Sequence, residues 1–124
     1  MSITHGTNAR NAAADAVVDS IDAGGAGTLQ FQTSGGTPVA TLTFGATAFG
    51  SASAGVATAN AITSDSSAAG GTTTKGVVKS GAGTVIINFT VTATGGGGDI
   101  ELSSTTIATG SAVSVSSLTY TAAP

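Results

Sequence analysis

The chain has no cysteine, so no disulfide can brace it and no thiolate can act as nucleophile or metal ligand. It has no tryptophan, one tyrosine and four phenylalanines. Few large side chains are on hand to fill a core or to stack on a sugar or a base. Charge is just as scarce: three Lys and Arg and six Asp and Glu make 7% of 124 residues. An ordinary soluble domain carries about 25%. With a net charge of −3, the basic residues Arg10, Lys75 and Lys79 are too few for the footprint that nucleic acid requires. No run of about 18 apolar residues occurs, so no membrane span is expected. Met1 to Arg10 lacks a basic region followed by an apolar stretch. No export signal is therefore expected, and the chain is expected to be made in a cytoplasm and not exported by the usual route.

Ser, Thr, Gly and Ala fill the places left by charge. The 19 glycines add to the entropy lost on folding. A single domain of this length has a modest core, and small domains with weak cores recruit disulfides, metals or other subunits. Disulfides are excluded and no metal cluster is visible. Contact with copies of itself or with a larger assembly is what remains.

A helix is predicted over residues 8–22, after an N-terminal arm of residues 1–7. Ala9, Ala12, Ala13, Ala16, Val17 and Ile21 recur at three- and four-residue steps. Thr7 or Asn8 is placed to cap it, and Gly24-Gly25 to end it. Residues 28–124 read as a β-domain. Leu29 and Phe31, then Leu42 and Phe44, alternate with polar residues and predict a hairpin over 28–33 and 38–44. Pro38 suits the start of a strand. Residues 45–72 are small and polar; a strand is predicted over 56–63 and an exposed loop over 64–71, with Asp65 and Ser66 forming a turn. Lys75–Lys79 leads into a long strand in which Val85, Ile87, Phe89 and Val91 share one face. Gly95–Gly98 is a flexible turn, and Ile100 and Leu102 begin a return strand. A phase change at Ser116-Ser117 predicts a β-bulge between Val113 and Val115 and the later Leu118 and Tyr120. The sum is a mainly β domain, an antiparallel sandwich or barrel-like sheet of about seven strands with one N-terminal helix.

The search for chemistry finds little. His5 has no partner near in sequence for general-base work. Asp15, Asp19 and Asp22 read as a solvated helix face, because no dedicated calcium loop surrounds them. Asp99 and Glu101 read as solubilising an edge. Gly95–Gly98 is followed by Asp99 and a strand, not by the Lys and helix of a phosphate loop. No nucleophile elbow is present, and Asn88-Phe89-Thr90 is a sequon in mid-strand. Neither an enzyme nor a cofactor is expected.

Three stretches, NARNAAADAVVDSID at the start, FGSASAGVATANAITSD from Phe49 to Asp65, and SAVSVSSLTYTAAP at the end, together resemble small virion-associated proteins of tailed bacteriophages and prophages. Relatives often carry an aromatic pair and an Arg just before a Val-Leu-Lys-Ser segment. Here Thr74-Lys75-Gly76 precedes Val77-Val78-Lys79-Ser80, a departure that puts an aromatic contact there in question. The resemblance implies a head-decoration or cement protein on the outer capsid surface. Its implied partners are the major capsid protein and itself, as a homodimer or homotrimer, with no nucleic acid and no membrane. Production falls to the bacterial host cytoplasm. Thr7, Asn8, Arg10, Lys75 and Lys79 are the candidate interface residues. A tail or head–tail junction protein is the alternative. A carbohydrate- or receptor-binding module ranks lower, since the aromatics are needed by the core, and an ice-binding sheet ranks last.

Overall fold

The computed structural model describes residues 5–115 and 118–122. Helix α1 spans Thr7–Asp19 and continues as a 3-10 turn over Ser20–Asp22. Neither Thr7 nor Asn8 caps it: Gly6 holds the N-cap position, with no side-chain cap. The buried stripe is Ala14, Val18 and Ile21, not the expected alanine face. These three sit at i, i+4 and i+7. Alanines ring the helix and carry no phase information, so the two bulky residues decide which side faces in. Gly24 and Gly25 end the helical segment at φ 82° and 119°, as the sequence predicts.

The main sheet has six strands, in the order β4-β2-β1-β6-β7-β8. It contains the expected hairpin, β1 (Thr28–Gln32) and β2 (Pro38–Phe44), with Leu29 opposite Leu42 and Phe31 opposite Ala40. Pro38 is the first residue of its strand. The strand expected over 56–63 is two short ones: β3 (Val56–Thr58) and β4 (Ile62–Thr63), of which only β4 joins the main sheet. Next come β5 (Gly71–Thr72), β6 (Lys75–Lys79) and the nine-residue β7 (Val85–Ala93). β8 (Ile100–Leu102), β9 (Thr106–Ile107) and β10 (Thr119–Thr121) follow. β10 pairs with β3, and β5 with β9. The described residues thus form ten strands where about seven were expected, because several are only two or three residues long.

The return strand runs the other way from expectation. β8 is parallel to β7, with Val91 opposite Ile100 and Ala93 opposite Leu102. Parallel neighbours usually need a crossover of a dozen or more residues; here residues 94–99 suffice. Gly95 and Gly97 take φ of 89° and 79°, a region that L side chains avoid. Glu101 accepts both of their N–H groups, and Gly98 donates to Thr92 Oγ1 at 3.0 Å. The glycine run is therefore a pinned reversal. The bulge expected at Ser116-Ser117 falls outside the described residues. Register shifts do occur between Phe31 and Gln32 and between Val78 and Lys79.

One face of the sheet builds the core, in which Phe31, Leu29, Leu42, Phe44 and Val39 are fully or almost fully buried with Val18 and Ile21 from the helical segment. Phe89 meets Phe31 edge-to-face at 5.9 Å between centroids, and its ring lies over Gly76 on the neighbouring strand. Phe89 and Val91 keep the inward phase assigned to β7, whereas Val85 is 46% exposed beyond the register shift.

Candidate functional site

The few charges have specific structural duties. Asp15 Oδ1 accepts the Ala52 N–H at 2.7 Å, and Asp22 Oδ1 accepts that of Ala48 at 2.9 Å. Asn11 Oδ1 accepts the Gly55 N–H at 2.8 Å. At about 100° per residue these three side chains lie beside the buried Ala14–Val18–Ile21 stripe. The solvated-face reading therefore fails for Asp15 and Asp22, while Asp19 is exposed. Apart from Phe49, which packs against Phe44 in the core, the segment they hold carries only small side chains, so its backbone is what the helix grips. Ala54 and Gly55 turn it with φ of 52° and 78°, and Ser53 and Val56 exchange backbone hydrogen bonds across the turn.

The remaining acids guard the sheet. Asp65 Oδ2 accepts the Thr41 N–H at 2.9 Å on the outer edge of β2, and Oδ1 accepts the Ser67 N–H at 3.0 Å. These two donors, Thr41 first, hold the Asp65 carboxyl below its ordinary range against a smaller opposing effect of burial. The Ser67 bond is the turn the sequence predicts; the Thr41 bond is an edge cap. Asp99 Oδ2 accepts the N–H and hydroxyl of Thr90 on β7, at 2.9 and 3.2 Å. Asp99 and Glu101 thus secure a strand and a turn, which corrects their reading as simple solubilisers. Five of the six carboxylates accept backbone N–H groups.

The candidate interface residues divide between two surfaces. Thr7 and Asn8 are exposed on the first turn of α1. Arg10 is half-buried: Nη2 donates to the Ala122 carbonyl at 3.4 Å, and the guanidinium packs over Gly55 so closely that a Cβ there would meet it at 2.7 Å. Arg10 Nε is buried with no hydrogen-bond partner among the described residues. Arg10 therefore ties α1 to β10 and to the 53–56 turn.

Lys75 and Lys79 project from β6 on the sheet face opposite to Gly76 and Val78, and so away from the core. Alternation along the strand places Val77 between them on that face. Across the strands, Lys79 neighbours Thr28, which neighbours Thr43; Val77 lies between Gln30 and Asn88; Lys75 lies between Gln32 and Thr90. Gln32 Nε2 donates to Gln30 Oε1 at 2.7 Å, and Gln30 Nε2 donates to Thr41 Oγ1 at 3.1 Å. Among the described residues neither lysine is in an ion pair. Sequence reasoning found the lysines but not the amide and hydroxyl array around them; the alternation of Thr28, Gln30 and Gln32 with Leu29 and Phe31 is the signal that marks it.

A crevice of about 330 Å³ opens between β7, β8 and β10, lined mainly by apolar side chains such as Ile87, Phe89, Ile100 and Leu118. Its one carboxylate, Asp99, is committed to Thr90, so no acid–base pair forms there. Among the described residues no three His, Cys, Asp or Glu side chains gather to hold a metal ion, and no helix is long and apolar enough to cross a membrane. Compared with protein families, with curated proteins and with solved structures, the chain finds no match.

Proposed function

We propose that this chain is a structural, non-enzymatic virion protein: a head-decoration or cement protein of a tailed phage, assembled in the bacterial host on the outer capsid lattice. Its partners in this reading are the major capsid protein and other copies of itself, as a homodimer or homotrimer. The main sheet and the short strand pairs act as the layers of a sandwich-like domain.

The observation that carries the reading is the use of charge. Five carboxylates are spent on backbone N–H groups, and the open sheet face is left with amides, hydroxyls and two lysines that make no ion pair among the described residues. Such a surface suits a polar, hydrated contact of ordinary size, about 1,600 Å² in total. The resemblance of the three sequence stretches to virion-associated proteins supplies the assembly. A cement protein acts by occupying many equivalent sites, where linked contacts add avidity to modest single affinities.

The test is a comparison of purified particles with and without the protein. Particles lacking it should break at lower temperature and under milder osmotic shock. Equal resistance would refute a cementing role. Copy number separates the head from the tail: a shell protein repeats over the whole lattice, whereas a junction protein is confined to one ring.

A further inference from the structure

We propose that the open face of the six-stranded sheet, centred on Val77 and flanked by Lys75 and Lys79, is the docking face, and that it meets a capsid protein surface bearing carboxylates. The inference rests on the capsid-decoration reading and specifies its contact surface.

Lys75 and Lys79 are the only lysines in the chain and are four residues apart on one strand, about 13 Å along β6. Among the described residues no acid, Asp19 included, pairs with either lysine. Asp15 and Asp22 grip the 48–55 segment, Asp65 caps β2, and Glu101 holds the glycine turn. Asp99 stands beyond Thr90 near the Lys75 end, with Oδ2 committed to Thr90. Two cations without an ion pair among the described residues, on an otherwise neutral face, favour a partner that brings carboxylates. Between them the face is already ordered: Val77 is 7% exposed, and Gln32, Gln30 and Thr41 form a hydrogen-bonded row. Fixed side chains lower the entropy lost on docking.

The sheet edges are less open to a partner. On β2, Pro38 has no N–H, the Val39 carbonyl accepts from Gly70, Asp65 takes Thr41, and β4 covers the end. On β7, β8 covers Val91 to Ala93, Asp99 takes Thr90, and the register shift interrupts the strand near Ile86. A second copy placed face to face would set lysines against lysines, with carboxylates only at the rim, and like charges oppose such a pairing. Two cations are also too few to hold nucleic acid.

The chain's two lysines make the test direct. Particles carrying the protein, and the same protein released from them, are treated with an amine-acetylating reagent, and labelling at each lysine is read by mass spectrometry. Lys75 and Lys79 should label at least about fivefold more slowly on the particle, as expected for amines buried in a specific interface. In parallel, Lys75→Glu with Lys79→Glu should rebind stripped particles about tenfold or more weakly, with an unchanged melting temperature. Equal labelling in both states, or wild-type rebinding by a folded double variant, overturns the docking face. Failure of the wild-type protein to rebind stripped particles refutes instead the capsid reading on which it rests. Should the variant not fold, the labelling comparison decides alone.

Discussion

Replacing Asp15 by alanine tests whether the helix holds the side-chain-poor segment through its backbone. The Asp15 carboxylate accepts the Ala52 N–H at 2.7 Å, a charge-assisted bond between half-buried partners. Such bonds contribute about 1.5–3 kcal/mol when well buried; partial access to water reduces this to about 1–2 kcal/mol. Alanine also raises helix propensity by about 0.5 kcal/mol, which offsets part of the loss. Asp19→Ala, exposed on the same helix, measures that offset and should fall within about 0.5 kcal/mol of wild type. Relative to it, Asp15→Ala should lose about 1.5 kcal/mol in urea unfolding, or roughly 3–8 °C of melting temperature. Asp22, seven residues on and about 10 Å along the axis, grips Ala48 independently, so the two losses should add. Hydrogen exchange supplies the local readout: the Ala48, Ala52 and Gly55 amides should lose protection before the sheet does. If Asp15→Ala matches Asp19→Ala in stability and exchange, the acceptor row is not holding the segment and the acids are a solvated face.

Three further outcomes follow from the same geometry. Gly76→Ala places a Cβ 2.6 Å from the Gln30 carbonyl oxygen and closer still to the Phe89 ring; it should cost about 2–4 kcal/mol in urea unfolding, and Phe89→Leu in the same chain should recover part of that loss rather than add to it. The Asp65 carboxyl is held below its ordinary range, so its contribution is fully present above the unfolded value near pH 3.9 and is lost as pH falls through the lower folded value. The stability gap between wild type and Asp65→Asn should accordingly shrink as pH is lowered from 5 toward 2, and a gap that widens would reverse the assignment. Arg10→Glu should destabilise folding by about 1–3 kcal/mol, because its stem and guanidinium pack over Gly55 and reach Ala122, while Arg10→Met keeps most of the packing; a fully stable Arg10→Glu protein that fails to bind particles would make Arg10 an assembly contact instead.

The sequence showed the fold where bulky side chains carried a period. Leu29, Phe31, Leu42 and Phe44 defined the first hairpin to within a residue, Phe89 and Val91 set the inward phase of β7, and Gly24-Gly25 marked the end of the helix. It hid the fold where small residues dominated. The alanines of α1 satisfied the wrong face as readily as the right one, and Val56–Thr63 split because Ala59, Asn60 and Ala61 gave no pattern to contradict a single strand. The parallel course of β8 turned on Glu101 folding back onto two glycine amides, which no strand periodicity records. The carboxylate contacts span separations of 24, 26 and 37 residues, so local reading could assign Asp15 and Asp22 only to solvent. At the candidate site Lys75, Lys79 and Arg10 stood out through scarcity alone, but their division between two surfaces required the sheet register.

Scarcity of charge acquires a physical meaning from these contacts. A carboxylate satisfied by a backbone N–H is stabilised by a dipole at short range and needs no cation beside it. Acids used in this way fix edges and turns without drawing lysines into internal ion pairs. The net charge of −3 thus misdescribes the surface, since the acids stand at strand edges, at the helix and at the glycine turn, whereas both lysines stand on one open sheet face. Salt then acts differently on the two sets. Bonds near 2.9 Å between a carboxylate and an N–H lie far inside a Debye length of about 8 Å, so screening touches folding little. In the proposed docking, the ammonium groups of exposed Lys75 and half-buried Lys79 are subject to screening during encounter. Under the proposed docking, the five carboxylates that accept backbone N–H groups serve the fold and the two lysines serve the contact, in separate places and at different range.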